Sequence, residues 1–129
     1  MNEGEGDLTG RVIGAAIRVH EALGPGFLES VYEEALCIEL TAQRIGFERQ
    51  RSVAIRYREK SVGEHRLDLL VEKQLVVELK AIAAFEAAHY AIVRSYLKAV
   101  DCTLGLLINF AAPTVQVKRV GREWHSRAS

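Results

Sequence analysis

Two short apolar runs, Leu67 to Val71 and Leu75 to Leu79, are separated only by the polar triplet Glu72-Lys73-Gln74. Each run carries a carboxylate, Asp68 in the first and Glu78 in the second, and Lys80 follows two residues later. Leu- and Val-rich runs divided by a polar triplet predict a β-hairpin. Its register depends on the loop. A three-residue loop pairs Val71 with Leu75, Asp68 with Glu78 and Arg66 with Lys80, so both carboxylates share one face. A two-residue loop at Lys73-Gln74 sets Asp68 opposite Leu79 instead and sends Glu78 and Lys80 to the other face.

Only the odd loop creates a site. Two carboxylates side by side destabilise the pair unless a divalent cation lies between them or one keeps its proton. Oxygen donors of this kind suit hard cations, Mg2+ or Mn2+. Lys80, on the same face, is placed to orient a water or to neutralise developing negative charge. The plainer alternative is a salt bridge of Lys80 with Glu78 or Asp68 on a solvated sheet edge.

Periodicity supplies the surroundings. Leu8, Val12, Ala16, Val19 and Leu23 recur at helical spacing, and Gly24-Pro25-Gly26 ends that helix. A second helix is predicted from about Phe27 to Ile45, with a broad apolar arc that contains Glu29 and leaves Glu33 and Arg44 on the polar side. Glu29 also lies in the first turn, where the helix dipole favours an anion; its plainer role is to accept from nearby backbone donors. Strands between Phe47 and Ala81 precede a helix from Phe85 to Val100, with Phe85, His89, Ile92, Tyr96 and Val100 on one face. Cys102 to Phe110 and Thr114 to Val120 read as two closing strands. The expected fold is therefore α/β, a mixed sheet of about five strands ordered as two helices, three strands, one helix and two strands.

These residues also carry a resemblance. Asp68 followed by Glu78-Leu79-Lys80 resembles the catalytic motif of the PD-(D/E)XK nuclease superfamily. Gly26-Phe27-Leu28-Glu29-Ser30-Val31-Tyr32, together with Val19 to Gly26 and Gly105 to Phe110, resembles the GxxExxY protein family within it. The resemblance runs from about Leu8 to Val120. It implies a restriction-endonuclease-like core, a site of Asp68, Glu78, Lys80 and Glu29, and Mg2+ or Mn2+ held by Asp68, Glu78 and Glu29. Tyr32, Tyr96, His20 and His89 match supporting positions. A Gln commonly stands four residues before Tyr96 in such nucleases, and here Ile92 replaces it. For His20 and His89, a hydrogen-bonded core residue is the reading that local context favours over a proton carrier.

At 129 residues the chain has the size of one domain, expected to span 1–129 with a flexible acidic start, 1–7, and a flexible tail, 121–129. No apolar run reaches the roughly 20 residues of a membrane span, and the acidic start is unlike a signal peptide. Cys37 and Cys102 fit buried thiols in a reducing compartment, so a cytoplasmic setting is expected. Net charge is zero but unevenly spread. The first forty residues hold eight acidic residues against Arg11 and Arg18, whereas Arg49, Arg51, Arg56 and Arg58 cluster on or beside the first strand. Those arginines are candidate phosphate contacts for nucleic acid, or a solvated face paired with acidic helices. A homo-oligomer is compatible with the sequence. Two functions follow: metal-dependent phosphodiester hydrolysis, or a binding or assembly module that keeps the fold after its catalytic site has decayed.

Overall fold

The computed structural model describes residues 5–122, with side chains from Asp7 onward. Its elements are α1 (Glu5–Leu23), α2 (Glu29–Ala42), β1 (Phe47–Tyr57), β2 (Lys60–Val71), β3 (Leu75–Lys80), α3 (Ala87–Val100), β4 (Leu104–Asn109) and β5 (Gln116–Gly121). The strands form one sheet in the order β1-β2-β3-β4-β5, antiparallel throughout except where β3 and β4 run parallel. A parallel pair needs a crossover, and α3 supplies it. The expected α/β mixed sheet with its order of elements is what is observed. The ends read as flexible lie largely outside the described residues; of them, Glu5 to Asp7 are already helical and Gly121 closes β5. Among the described residues no helix is long and apolar enough to cross a membrane.

Period-two alternation in β3 divides the core into two layers. Leu75, Val77 and Leu79 face α1 and α2, meeting Val12, Ala16, Leu36 and Leu40, while Val76 faces Val93, Tyr96 and Leu97 of α3. The buried face of α3 is thus centred one turn step away from the expected row, with His89 at its margin. Gly105 lets α3 sit close to β4, since a Cβ there would lie 2.7 Å from Val93 Cγ1. The boundaries of α2 are tighter than the apolar arc suggested, because Gly26 (φ 115°) and Arg44 (φ 61°) turn the backbone on either side of it.

The turn between α1 and α2 is fixed by aromatic packing. The Tyr32 hydroxyl donates to Gly24 O at 2.6 Å and accepts the Phe27 N–H at 3.2 Å. Its ring stacks on Phe110 at 4.4 Å, and His20 Nε2 lies 2.9 Å from Ala112 O. Tyr32 and His20 therefore tie the helical layer to the end of β4.

Beyond Lys80 the sheet continues through a side chain. Asn109, fully buried, accepts the Ile82 and Ala111 N–H groups on Oδ1 and donates to Ile82 O and Gln116 Oε1. Truncating it strands three part-buried backbone groups of Ile82 and Ala111, each worth up to about 1–3 kcal/mol when unpaired. Asn109→Ala is expected to lower unfolding free energy by about 3 kcal/mol in urea titration, and Gln116→Ala by much less. A loss for Asn109→Ala below about 1 kcal/mol would show that the Ile82 segment does not depend on this amide.

Candidate active site

The hairpin loop is odd. Val71 pairs with Leu75, Leu70 with Val76 and Leu69 with Val77, and Glu72 and Lys73 take the positive φ values that close the turn. Pairing then stops. β2 goes on with β1 as far as Lys60, and β3 goes on with β4 as far as Lys80 opposite Asn109. The sheet forks at Asp68 and Glu78, so neither the expected Asp68–Glu78 pairing nor the expected Arg66–Lys80 pairing forms in the ladder, and the two acidic residues meet through a side chain instead.

At the fork, side chains satisfy the backbone groups that a ladder would have satisfied. The Asp68 N–H donates to Glu78 Oε1 at 3.2 Å, and the Leu79 N–H donates to Asp68 Oδ2 at 2.8 Å. Lys80 Nζ lies 3.8 Å from Glu78 Oε2. Burial and then the charge of Asp68 push the Glu78 carboxyl up to about 8, so the nearby ammonium does not offset desolvation. Asp68 is also raised, by burial first and then by the charge of Glu33. The Tyr96 phenol, pushed up to about 12 by burial and by both carboxylates, stays protonated beside them and donates to Arg66 O at 3.4 Å.

Glu29 is not hydrogen-bonded to this pair, but its charge is among those that raise the Glu78 carboxyl. It is exposed at the start of α2 and its Oε2 accepts the Ala81 N–H at 3.2 Å, one residue past Lys80. Among the described residues no three His, Cys, Asp or Glu side chains are gathered closely enough to hold a metal ion. The structure thus brings Asp68, Glu78, Lys80 and Tyr96 together and sets Glu29 at the edge. His89 caps α3, accepting the Glu86 N–H on Nδ1 at 2.8 Å, and His20 serves the turn described above. His65 lies edge-on to Tyr96 at 6.3 Å.

Two residues join the site that sequence reasoning did not assign to it. Glu33, expected on the polar side of its helix, is buried. Its Oε2 accepts from Arg49 Nε and Nη2 at 3.2 and 3.1 Å, and its Oε1 accepts from Gln50 Nε2 at 2.9 Å. Gln50 also reaches Asp68 Oδ1 at 3.3 Å. The missed signal was spacing: Glu33 follows Glu29 by one helical turn, so one stripe carries both.

The raised carboxyls make a stability prediction. A group protonated more readily in the folded chain gives a stability that falls as pH rises from its ordinary value to its folded one. For Glu78 that window runs from 4.5 to about 8, and Asp68 acts in the same sense. In metal-free buffer the wild type should lose stability across this window by urea unfolding, and Glu78→Gln should lose less, its relative advantage growing with pH. Parallel curves for the two proteins would show that Glu78 is not perturbed.

No curated protein matches the sequence. The crystal structure of SSO0001 superimposes with a TM-score of 0.56 at 15% identity, covering 74% of this chain, which spans half the length of that protein. At such identity the likeness concerns the fold alone. The sequence profile of the PD-(D/E)XK nuclease superfamily matches residues 6–120, a span that holds the carboxylate pair, Lys80 and all of the sheet but the last residue of β5; by that match the chain belongs to the PD-(D/E)XK nuclease superfamily.

Proposed function

We propose that this protein hydrolyses phosphodiester bonds in nucleic acid with Mg2+ or Mn2+ held by Asp68 and Glu78. The proposal rests on one observation above all: two buried or half-buried carboxylates meet at the fork with a single ammonium beside them. The donor set fits a divalent cation. It consists of hard oxygens, and two carboxyls face one ammonium; burial and the charge of Asp68 keep a proton on Glu78 near neutral pH, a proton that a bound cation would displace. When bound there, such a cation would supply Lewis-acid stabilisation of the negative charge of the phosphodiester.

The chain's own residues do the rest. Lys80, held near Glu78, is placed to orient the attacking water or to stabilise charge that develops only in the transition state. Tyr96 offers a protonated hydroxyl on the α3 side. Glu29, engaged with Ala81, steadies the backbone that carries Lys80 and adds to the negative field at Glu78. Buried thiols at Cys37 and Cys102, rather than a disulfide, agree with a cytoplasmic setting.

For the nucleic acid we propose the groove between β1 and α3, about 490 Å3, lined by Arg51, Arg56 and Lys98 with Ser52 and Ser95. Its arginines are exposed. Arg51 pairs with exposed Glu48 at 3.4 Å, whereas Arg49 is held by buried Glu33 as well as by Glu34, each at 3.1 Å. Arg58 sits in the turn that joins β1 to β2.

One observation favours the second reading, a nonenzymatic module: both carboxylates already accept backbone N–H groups, and no third ligand joins them among the described residues. Calorimetric Mn2+ titration combined with cleavage assays on single- and double-stranded DNA and RNA decides between the two. Wild type should bind Mn2+ weakly and cleave slowly, and Asp68→Asn should lose both. Lys80→Ala should keep metal affinity within a few-fold while turnover falls by about 10^2 or more. Absence of both binding and cleavage in the wild type leaves the module.

Nucleic-acid binding is tested separately by fluorescence anisotropy at several salt concentrations. Arg51→Ala and Arg56→Ala should each weaken binding and reduce the salt slope by about one. Arg49→Ala should instead lower stability, because it leaves Glu33 buried without its cation. If Arg49→Ala weakens binding as much as Arg56→Ala at unchanged stability, the groove is wrongly placed.

A further inference from the structure

Gln50 occupies the middle of β1, level with Asp68, since Arg49 pairs with Leu69 and Arg51 with Leu67 on either side of it. Its φ of 51° lies in the left-handed region, which side chains with a Cβ adopt at a cost. Such outliers in a strand persist where the surroundings hold them. Here both ends of the residue are held: its carbonyl accepts from Arg66 Nη1 at 3.3 Å, and its amide donates to Glu33 and Asp68. A continuous chain of bonds thus runs from Arg49 through Glu33 and Gln50 to Asp68 and on to the Leu79 N–H.

We infer that Gln50 is a positioning residue, a neutral bridge that holds the Asp68 carboxylate against Glu33 and fixes the plane in which its oxygens are presented. Asp68 is held at both oxygens, by Leu79 through Oδ2 and by Gln50 through Oδ1. Residue chemistry at position 50 matters for three reasons. A carboxylate would add a third anion. A lysine or arginine would neutralise the charge that a cation is to meet. An aliphatic side chain would leave Glu33 and Asp68 facing each other without a shared donor. Only a neutral double donor satisfies both carboxylates and leaves their charge in place. In a chain whose α3 offers Ile92 rather than an amide, β1 provides one.

The bridge stands independently of the metal reading; its consequence for a cation rests on that reading, and two experiments keep them apart. The first is a double-mutant cycle of Gln50→Gly with Asp68→Ala, by urea unfolding of metal-free protein. Glycine removes the amide and also relieves the left-handed backbone, so the variant is expected to fold. The effect of Gln50→Gly on the unfolding constant should differ by about fivefold or more between the two backgrounds. If the double variant does not fold, the Asp68 13Cγ resonance, expected to move in folded Gln50→Gly, replaces the cycle. The second experiment is Mn2+ titration of wild type and Gln50→Gly, with affinity expected to fall about tenfold at an essentially unchanged melting temperature. An additive cycle, or an unmoved resonance, overturns the inference whatever the metal does. Coupling with equal Mn2+ affinities overturns Gln50's role toward the cation. Coupling in a protein that binds no Mn2+ supports the bridge and overturns the metal centre proposed above.

Discussion

Everything in the site follows from the parting of β2 and β3. A sheet cannot fork without exposing N–H groups that a ladder would have paired, and in a buried setting those groups demand acceptors. Asp68 and Glu78 are the acceptors, each taking a backbone N–H from the neighbouring strand. This geometric role has an electrostatic price, since it packs two carboxyls where desolvation disfavours charge on either and Glu78 holds its proton up to about pH 8. Structure and chemistry therefore draw on the same oxygens. The fork also decides the outline of the protein, because β2, free of β3, lengthens with β1 into an arm whose outer residues, Arg56 to Arg66, are exposed.

The helical layer serves the fork from a distance. Tyr32 and Phe110 stack at the junction of the α1–α2 turn with the end of β4, which fixes where α2 begins. Glu29 opens that helix and Glu33 follows one turn later, so the same anchor delivers one carboxylate to the Ala81 N–H and another to Arg49 and Gln50. Gly26 turns the backbone ahead of α2 with a φ of 115°, and Tyr32 fastens that turn through Gly24 O and the Phe27 N–H.

Much of this was legible in the sequence, and the failures have identifiable causes. The register of the β2–β3 hairpin could be read because loop length and side-chain alternation leave few options: an odd polar loop puts Asp68 and Glu78 on one face. The order of elements could be read from where period two gives way to period 3.6. Glu33 was misplaced because Val31 and Ile38 of α2, with Leu28 just before it, are apolar yet exposed, so the centre of its apolar arc does not mark the buried face. Gln50 was invisible because a positive φ within a strand leaves no compositional trace when the residue is not glycine. Asn109 was visible as part of a motif, but its four bonds depend on where the chain turns after Lys80, which only tertiary structure determines.

The fork also sets an order of assembly. Asp68 and Glu78 are ten residues apart across a tight turn, so the entropy of bringing them together is small and their juxtaposition is a local event. The Ala81 N–H and Glu29 are 52 residues apart, and β4 can lie parallel beside β3 only after α3 has crossed over. A β1 to β3 meander formed before that crossover would hold its acidic pair in open solvent, where water screens the repulsion. The dry layers that make the pair costly would close over it afterwards. Repulsion between the two carboxylates accordingly weighs on the final docking of β4 and the helices rather than on the formation of the hairpin, and the folding of this chain should be most sensitive to Asp68 and Glu78 at its last step.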